Sequence, residues 1–100
     1  MRCWLICMRT IERTGQFKRD YRRALKGPHR ETLEEDFVTV VGALAADRPL
    51  PEKNHDHELI GNWKDFRDCH IKPDLVLIYR KLESEVLQLV RLGSHSELGL

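Results

Sequence analysis

Apolar residues recur along this chain in two rhythms, every three or four positions in the first half and every second position in the second. Phe17, Tyr21 and Leu25 stand four apart, so a helix lines them up in one stripe. Thr14 precedes them as an N-cap whose hydroxyl can accept a free N–H of the first turn, and Gly27-Pro28 ends the helix. Leu33, Phe37, Val40, Val41 and Leu44 make the stripe of a second helix. Thr32 with Glu35 reads as its capping box, and the acidic first turn suits the helix dipole. Asp47-Arg48-Pro49-Leu50-Pro51 stops it, and a polar loop runs to Asn62. Two helices joined by a short loop predict an antiparallel αα-hairpin.

Past Gly61-Asn62 the pattern is that of strands. Trp63 to Ile71 reads as extended, Lys72-Pro73-Asp74 as a tight turn, and Leu75 to Tyr79 as a second strand. Lys81 to Glu85 is a polar hairpin turn, and Val86 to Leu92 is a third strand that Gly93-Ser94-His95 leaves. Met8 to Arg13 adds a weaker strand at the start. The order β-α-α-β-β-β predicts an α+β fold, with a small, mostly antiparallel sheet packed against the αα-hairpin.

At 100 residues, with 41% apolar and 33% charged, the chain suits one soluble domain over residues 8–100. A net charge of +1 hides an uneven distribution. Residues 9–30 carry eight basic side chains, Arg19, Arg22 and Arg23 among them, against Glu12 and Asp20. Such a sector is a polyanion footprint, a docking face for an acidic protein, or a solvated helix face. Cys3, Cys7 and Cys69 form no disulfide or zinc pattern, which points to a reduced, cytoplasmic setting, with Cys69 a small core residue. No apolar run approaches the roughly 20 residues of a membrane helix. Residues 4–8 are too few for a signal sequence.

Candidate chemistry gathers between His57 and Tyr79. On an extended Trp63–Ile71, Lys64, Phe66, Asp68 and His70 share one face, and Trp63, Asp65, Arg67, Cys69 and Ile71 the other. Metal-free RNA cleavage needs a base for the ribose 2′-OH, an acid for the departing 5′-oxygen and positive charge beside the phosphate. Histidine serves the first two, since its unperturbed pKa of about 6.5 lets it exchange protons near neutrality. His57 before the first strand, His70 at its end and His95 after the last strand are the candidates. They converge only if the loop folds back over the sheet. Asp68 and Asp74 flank His70 and can fix an imidazole tautomer or raise its basicity. Lys64, Arg67 and Arg91 are candidate phosphate contacts. His55-Asp56-His57 with His70 matches no zinc spacing, so no metal is expected. Solvated histidines, an Asp74 that merely closes a turn and a core Trp63 account for the same residues, and both readings stay open here.

The ordered set His57, Leu59, Gly61, Trp63, then Arg67-Asp68-Cys69-His70, Pro73-Asp74, Tyr79 and Leu92-Gly93-Ser94-His95 resembles the YafQ branch of the RelE-like bacterial toxins. The resemblance runs from about Met8 to the end. Residues 1–7 are then an extension, either a start-site artefact or extra strand. It implies the RelE-like fold and a ribosome-dependent messenger-RNA endonuclease of a type II toxin–antitoxin system. It also implies an antitoxin partner and no cofactor. Cleavage would leave a 2′,3′-cyclic phosphate and a 5′-hydroxyl. His57, His70, Asp74 and His95 match the family's active-site set, with Asp68 its acidic partner. In the division of labour read here, His57 is the base and His95 the acid, while His70 and Asp68 orient. Arg19, Arg22 and Arg23 become candidate antitoxin or RNA contacts. The family usually has an aromatic residue where Gly99 stands, and Leu98 or Leu100 is the replacement available. The competing reading is a degenerate, non-catalytic toxin that still binds its antitoxin or RNA.

Overall fold

A computed structural model of the chain describes residues 8–28, 30–83 and 85–100; the expectations for residues 1–7, Cys3 and Cys7 included, lie outside the described residues. The sheet contains β1 (Thr10–Arg13), β2 (His57–Glu58), β3 (Arg67–Lys72), β4 (Leu75–Leu82) and β5 (Val86–Gly93), with the helices α1 (Gly15–Ala24), α2 (Leu33–Ala45) and α3 (His95–Leu98). Strand order is β1-β5-β4-β3-β2. β1 runs parallel to β5 and every other pair is antiparallel. The expected α+β arrangement is present, extended by the two-residue β2 and the one-turn α3.

α1 begins where Thr14 places it, with the hydroxyl accepting from the Phe17 N–H at 3.0 Å. Its buried stripe differs from the expected one. Phe17 and Asp20 are buried, Tyr21 and Ala24 pack beside the core, and Leu25 is 43% exposed beyond the end of the helix. α2 buries Leu33, Val40, Val41 and Leu44 and half-buries Phe37, as the spacing predicts. The Thr32 capping box is not formed. Lys72 reaches across from β3 and donates to the Thr32 hydroxyl and the Asp36 carboxylate, which takes the cap away.

Both helices cover one face of the sheet. Cys69, Ile71, Leu75, Leu77, Tyr79, Leu87, Leu89 and Leu92 turn inward beneath them. Burial of each large apolar side chain here contributes roughly 1.5–3 kcal/mol as an upper estimate. The run Leu87, Leu89, Leu92 breaks the two-residue period because β5 carries one extra residue between the pairs Ile78–Arg91 and Tyr79–Leu89. That bulge returns Leu92 to the core side. The opposite face holds a smaller cluster, Val76, Ile78 and Leu98, with Leu59, Trp63, Phe66 and Val90 packed against it. Asp68 stands opposite Ile78, and His70 opposite Val76, on this second face. The extended Trp63–Ile71 is only partly realised, because Gly61–Trp63 is a 3₁₀ turn and the strand begins at Arg67.

Candidate active site

Three elements bring the histidines together on the sheet face away from the helices. The first is β2. Its pairing sets His57 directly opposite Asp68, so both side chains rise from the same face. His57 is therefore a strand residue rather than a loop residue, and its Nε2 lies 3.1 Å from Asp68 Oδ1. The second is β3, which carries Asp68 and His70. The third is α3, capped by Ser94 and Glu97 in a reciprocal capping box that the sequence reading missed. Leu98 anchors α3 on the small apolar cluster. A side chain at Gly93 would meet Glu97 Oε1 at 3.0 Å, so glycine allows the chain to fold back this tightly. His95, at the start of α3, then meets His70 edge to face, with ring centres 5.0 Å apart.

His55, given no role from sequence, brings its ring to 5.0 Å from that of His70 on the other side. His95 Nδ1 lies 3.3 Å from the exposed Asp74 carboxylate in the β3–β4 turn. A carboxylate only accepts, so Nδ1 carries the proton and Nε2 is the nitrogen left for chemistry. Asp68 is 3% exposed, and His57 is close to it but not aligned to donate. Asp68 Oδ1 is thus buried without a hydrogen-bond partner. Beside it opens a cavity of about 480 Å³ lined by His57, Leu59, Ile60, Asn62, Trp63, Asp68, His95, Gly99 and Leu100.

The charges here work against one another. Burial pushes the Asp68 carboxyl up, and the imidazoles of His57, His70 and His95 pull it partly back. Burial pushes His70 down, and His95 and His55 add to that as like charges, with Asp68 opposing. His70 is therefore held as neutral imidazole further into the acid range than a free histidine. Burial also drives the Cys69 thiol up, which makes it an inert core group.

The expected phosphate contacts fare differently. Lys64 precedes β3 and is exposed, so it shares no strand face with Asp68 and His70. Arg67 turns to the other face and pairs with Asp56 at 3.2 Å and Glu58 at 3.6 Å. Asp56 also accepts from the Tyr79 hydroxyl. Arg91 donates to the fully buried Asp20. A cation the sequence reading passed over, Arg80, lies above the Phe66 ring, 4.9 Å from its centre. Its signal was its β4 register, two residues beyond Ile78 on the site face. At the C-terminus Gly99 adopts φ +73°, a conformation an aromatic side chain disfavours. Leu98 is buried in the apolar cluster, and Leu100 lines the cavity as the available contact.

Of the basic face, Arg19, Arg22 and Arg23 are all exposed, and Arg23 alone is drawn to carboxylates, Asp20 at 3.2 Å and Glu97 at 3.7 Å. Among the described residues no three His, Cys, Asp or Glu side chains converge as a metal site, and no helix is long and apolar enough to cross a membrane.

Residues 9–99 match the family model described as the bacterial toxin of type II toxin–antitoxin system, YafQ. The mRNA interferase toxin YafQ of Escherichia coli strain K12 is 37% identical over 90 residues, which span 90% of this chain and 95% of that protein. Among solved structures, a metal-bound toxin from Helicobacter pylori superposes with a TM-score of 0.80 at 48% identity, covering 91% of this chain and 99% of the other. The toxin of the E. coli DinJ–YafQ toxin–antitoxin complex superposes with a TM-score of 0.76 at 37% identity, covering 91% and 97%. With nine-tenths of the chain matched in sequence and in fold, and with the spaced histidines gathered on one sheet face, the chain belongs to the YafQ family of bacterial type II toxins.

Proposed function

We propose that this chain is an endoribonuclease that cleaves messenger RNA on the ribosome by acid–base chemistry and is restrained by a protein antitoxin. The observation that carries this reading is the group of imidazoles around a buried carboxylate, beside the small apolar cluster of the same sheet face. Buried polar atoms without partners cost about 1–3 kcal/mol each, so Asp68 Oδ1 fits a site completed by substrate.

In the reaction, a neutral imidazole takes the 2′-OH proton and the 2′-oxygen attacks the adjacent phosphorus. The bond to the 5′-oxygen breaks, and an imidazolium returns a proton to that oxygen. His95 is suited to the acid role, since its contact with Asp74 occupies Nδ1 and leaves Nε2 facing the site. His57, poised over Asp68, is suited to the base role, with neutral His70, packed against the His95 ring, as an orienting donor. Each acid–base role is worth about 10²–10⁴ in rate. Lys64 and Arg80 are the cations left free enough of carboxylates to meet phosphates; Arg67 and Arg91 have structural partners and secondary roles at most.

The antitoxin assignment follows the DinJ–YafQ complex, and the exposed Arg19 and Arg22 offer an acidic segment a complementary face. The test is incubation with translating ribosomes and end-mapping of the message. Cleavage leaving 2′,3′-cyclic phosphate ends, lost in His95→Ala, is expected. Intact message under the parent chain would leave the antitoxin-binding reading in its place.

A further inference from the structure

The segment between α2 and β2 grips two of the site's histidines, and the residues that do so have no part in the chemistry above. Asn54 is buried, and its Nδ2 donates to the carbonyl oxygen of His70 at 2.7 Å. His55 follows at φ +46°, ψ +49°, with its N–H donating to the Glu52 carbonyl at 3.0 Å. That left-handed conformation is uncommon outside glycine and tends to persist where the surroundings enforce it. Its consequence is to bring the His55 carbonyl to 2.8 Å from His57 Nδ1. A carbonyl oxygen only accepts, so the His57 proton sits on Nδ1, and Nε2, 3.1 Å from Asp68, is the nitrogen that gains and loses one. The His55 ring meanwhile packs against His70, centre to centre 5.0 Å and tilted by 54°.

We propose that His55 is a positioning residue of this site: its backbone holds His57 in the Nδ1–H tautomer and its ring packs His70 into place. The catalytic value of this rests on the nuclease reading, whereas the geometry can be tested without it. His70 is faced by His55 from the loop, His95 from α3, His57 from β2 and Asp68 from its own strand. Removing the His55 ring takes away a like charge and part of the burial that both press His70 toward neutrality.

The test is ¹⁵N-edited imidazole spectroscopy on the parent chain and on His55→Gly and His55→Pro. Glycine keeps the left-handed backbone and loses the ring, whereas proline fixes φ near −65° and forbids it. In the parent, His57 should be the Nδ1–H tautomer; finding Nε2–H overturns the proposal whatever the variants do. His55→Gly should keep that tautomer and raise the His70 titration midpoint. An unmoved midpoint overturns the role of the ring. His55→Pro should also lose the tautomer preference, and an unchanged His57 there overturns the role of the backbone. Should His55→Pro fail to fold, the parent and His55→Gly still decide both halves. Single-turnover cleavage should fall about tenfold in His55→Pro. Absence of cleavage in every form, the parent included, sinks the nuclease reading and leaves the spectroscopy to judge this one.

Discussion

Replacing Asp20 by asparagine tests how α1 secures the strand that delivers His95. β1 covers the outer edge of β5 only from Val86 to Leu89. Beyond it the Thr14 hydroxyl donates to the Val90 carbonyl at 2.8 Å, and the Leu92 N–H donates to Asp20 at 3.0 Å. Asp20 therefore continues the edge that β1 leaves open, three residues ahead of His95. Its side chain is 0% exposed and also accepts from Arg91 at 2.8 and 3.3 Å and from Gln16 at 3.1 Å. Removing one partner of a buried ion pair costs about 3–5 kcal/mol. Arg91 keeps 24% exposure, and the asparagine oxygen can still accept from Leu92, so we expect about 2–4 kcal/mol. With a urea slope of about 1.5 kcal/mol per M, the midpoint should fall by roughly 1.3–2.7 M. The pH dependence has a definite sign. Burial alone would raise the Asp20 carboxyl, but the hydrogen bonds from Arg91, Leu92 and Gln16 outweigh it and hold it below the ordinary 3.8. A lowered carboxyl contributes stability above its unfolded value and loses it as pH falls through the folded one. The deficit of Asp20→Asn should thus be complete at pH 7 and shrink below about pH 4. A midpoint shift under about 0.5 M at pH 7, or a deficit unchanged at pH 3, would refute the reasoning.

Three further outcomes are expected. Chelation of metal should leave cleavage intact, since the reaction as drawn needs none; loss in EDTA with ribosomes verified as intact would count against it. Reversing Arg19 and Arg22 to Glu, and sparing the Asp20-bound Arg23, should weaken antitoxin binding and flatten its salt dependence; unchanged affinity and slope would mark this face as merely solvated. Asp68→Asn should abolish most activity yet be more stable than the parent at pH 7, because it replaces a buried carboxylate by a neutral group. Its carboxyl is pushed up by burial, so ionisation costs stability as pH rises through the folded value, and the gain should vanish below about pH 4; a variant less stable than the parent at pH 7 would contradict this.

How far the sequence could be read depended on whether the deciding contact was local. The helix stripes and the Thr14 cap involve residues within one turn, and they appear nearly as expected. The strand face pairing Asp68 with His70 follows from a period of two and is also present. Leu25 against Asp20 could not be ranked, because hydrophobicity favours leucine, whereas Asp20 is buried by Arg91 and Leu92 some seventy positions away. Thr32 lost its cap for the same kind of reason, to Lys72 forty residues on. The two-residue β2 has no periodicity to detect. His55 carries no motif, and its left-handed turn is set by the 3₁₀ turn before it and the strand pairing after it. The resemblance named the candidate site residues, but the burial of Asp68 and the positions of the cations depend on contacts between distant strands.

The proposed assignment of proton transfers makes the sharpest prediction. His57 has one nitrogen committed to a backbone carbonyl and the other beside Asp68, and His95 has one committed to Asp74. Each therefore has a single nitrogen left to exchange a proton, Nε2 beside Asp68 in His57 and Nε2 in His95. His70 lies between two imidazoles, and burial with their like charge keeps it neutral. It is suited to hold the phosphate by donating a hydrogen bond. Removing a base or acid should erase the limb of the pH–rate bell that its ionisation creates, whereas removing an orienting group should lower the rate across the whole profile. Single-turnover profiles on programmed ribosomes should therefore lose the acid limb in His57→Ala and the alkaline limb in His95→Ala, each with a fall of about 10²–10⁴. His70→Ala should keep both limbs at a lower rate. If His70→Ala alone erases a limb while His57→Ala keeps both, the base is His70, and its depressed pKa is then the device that keeps it ready to accept a proton. If all three variants keep both limbs, the protons are moved by the ribosome or the RNA, and the imidazoles act by position and charge alone.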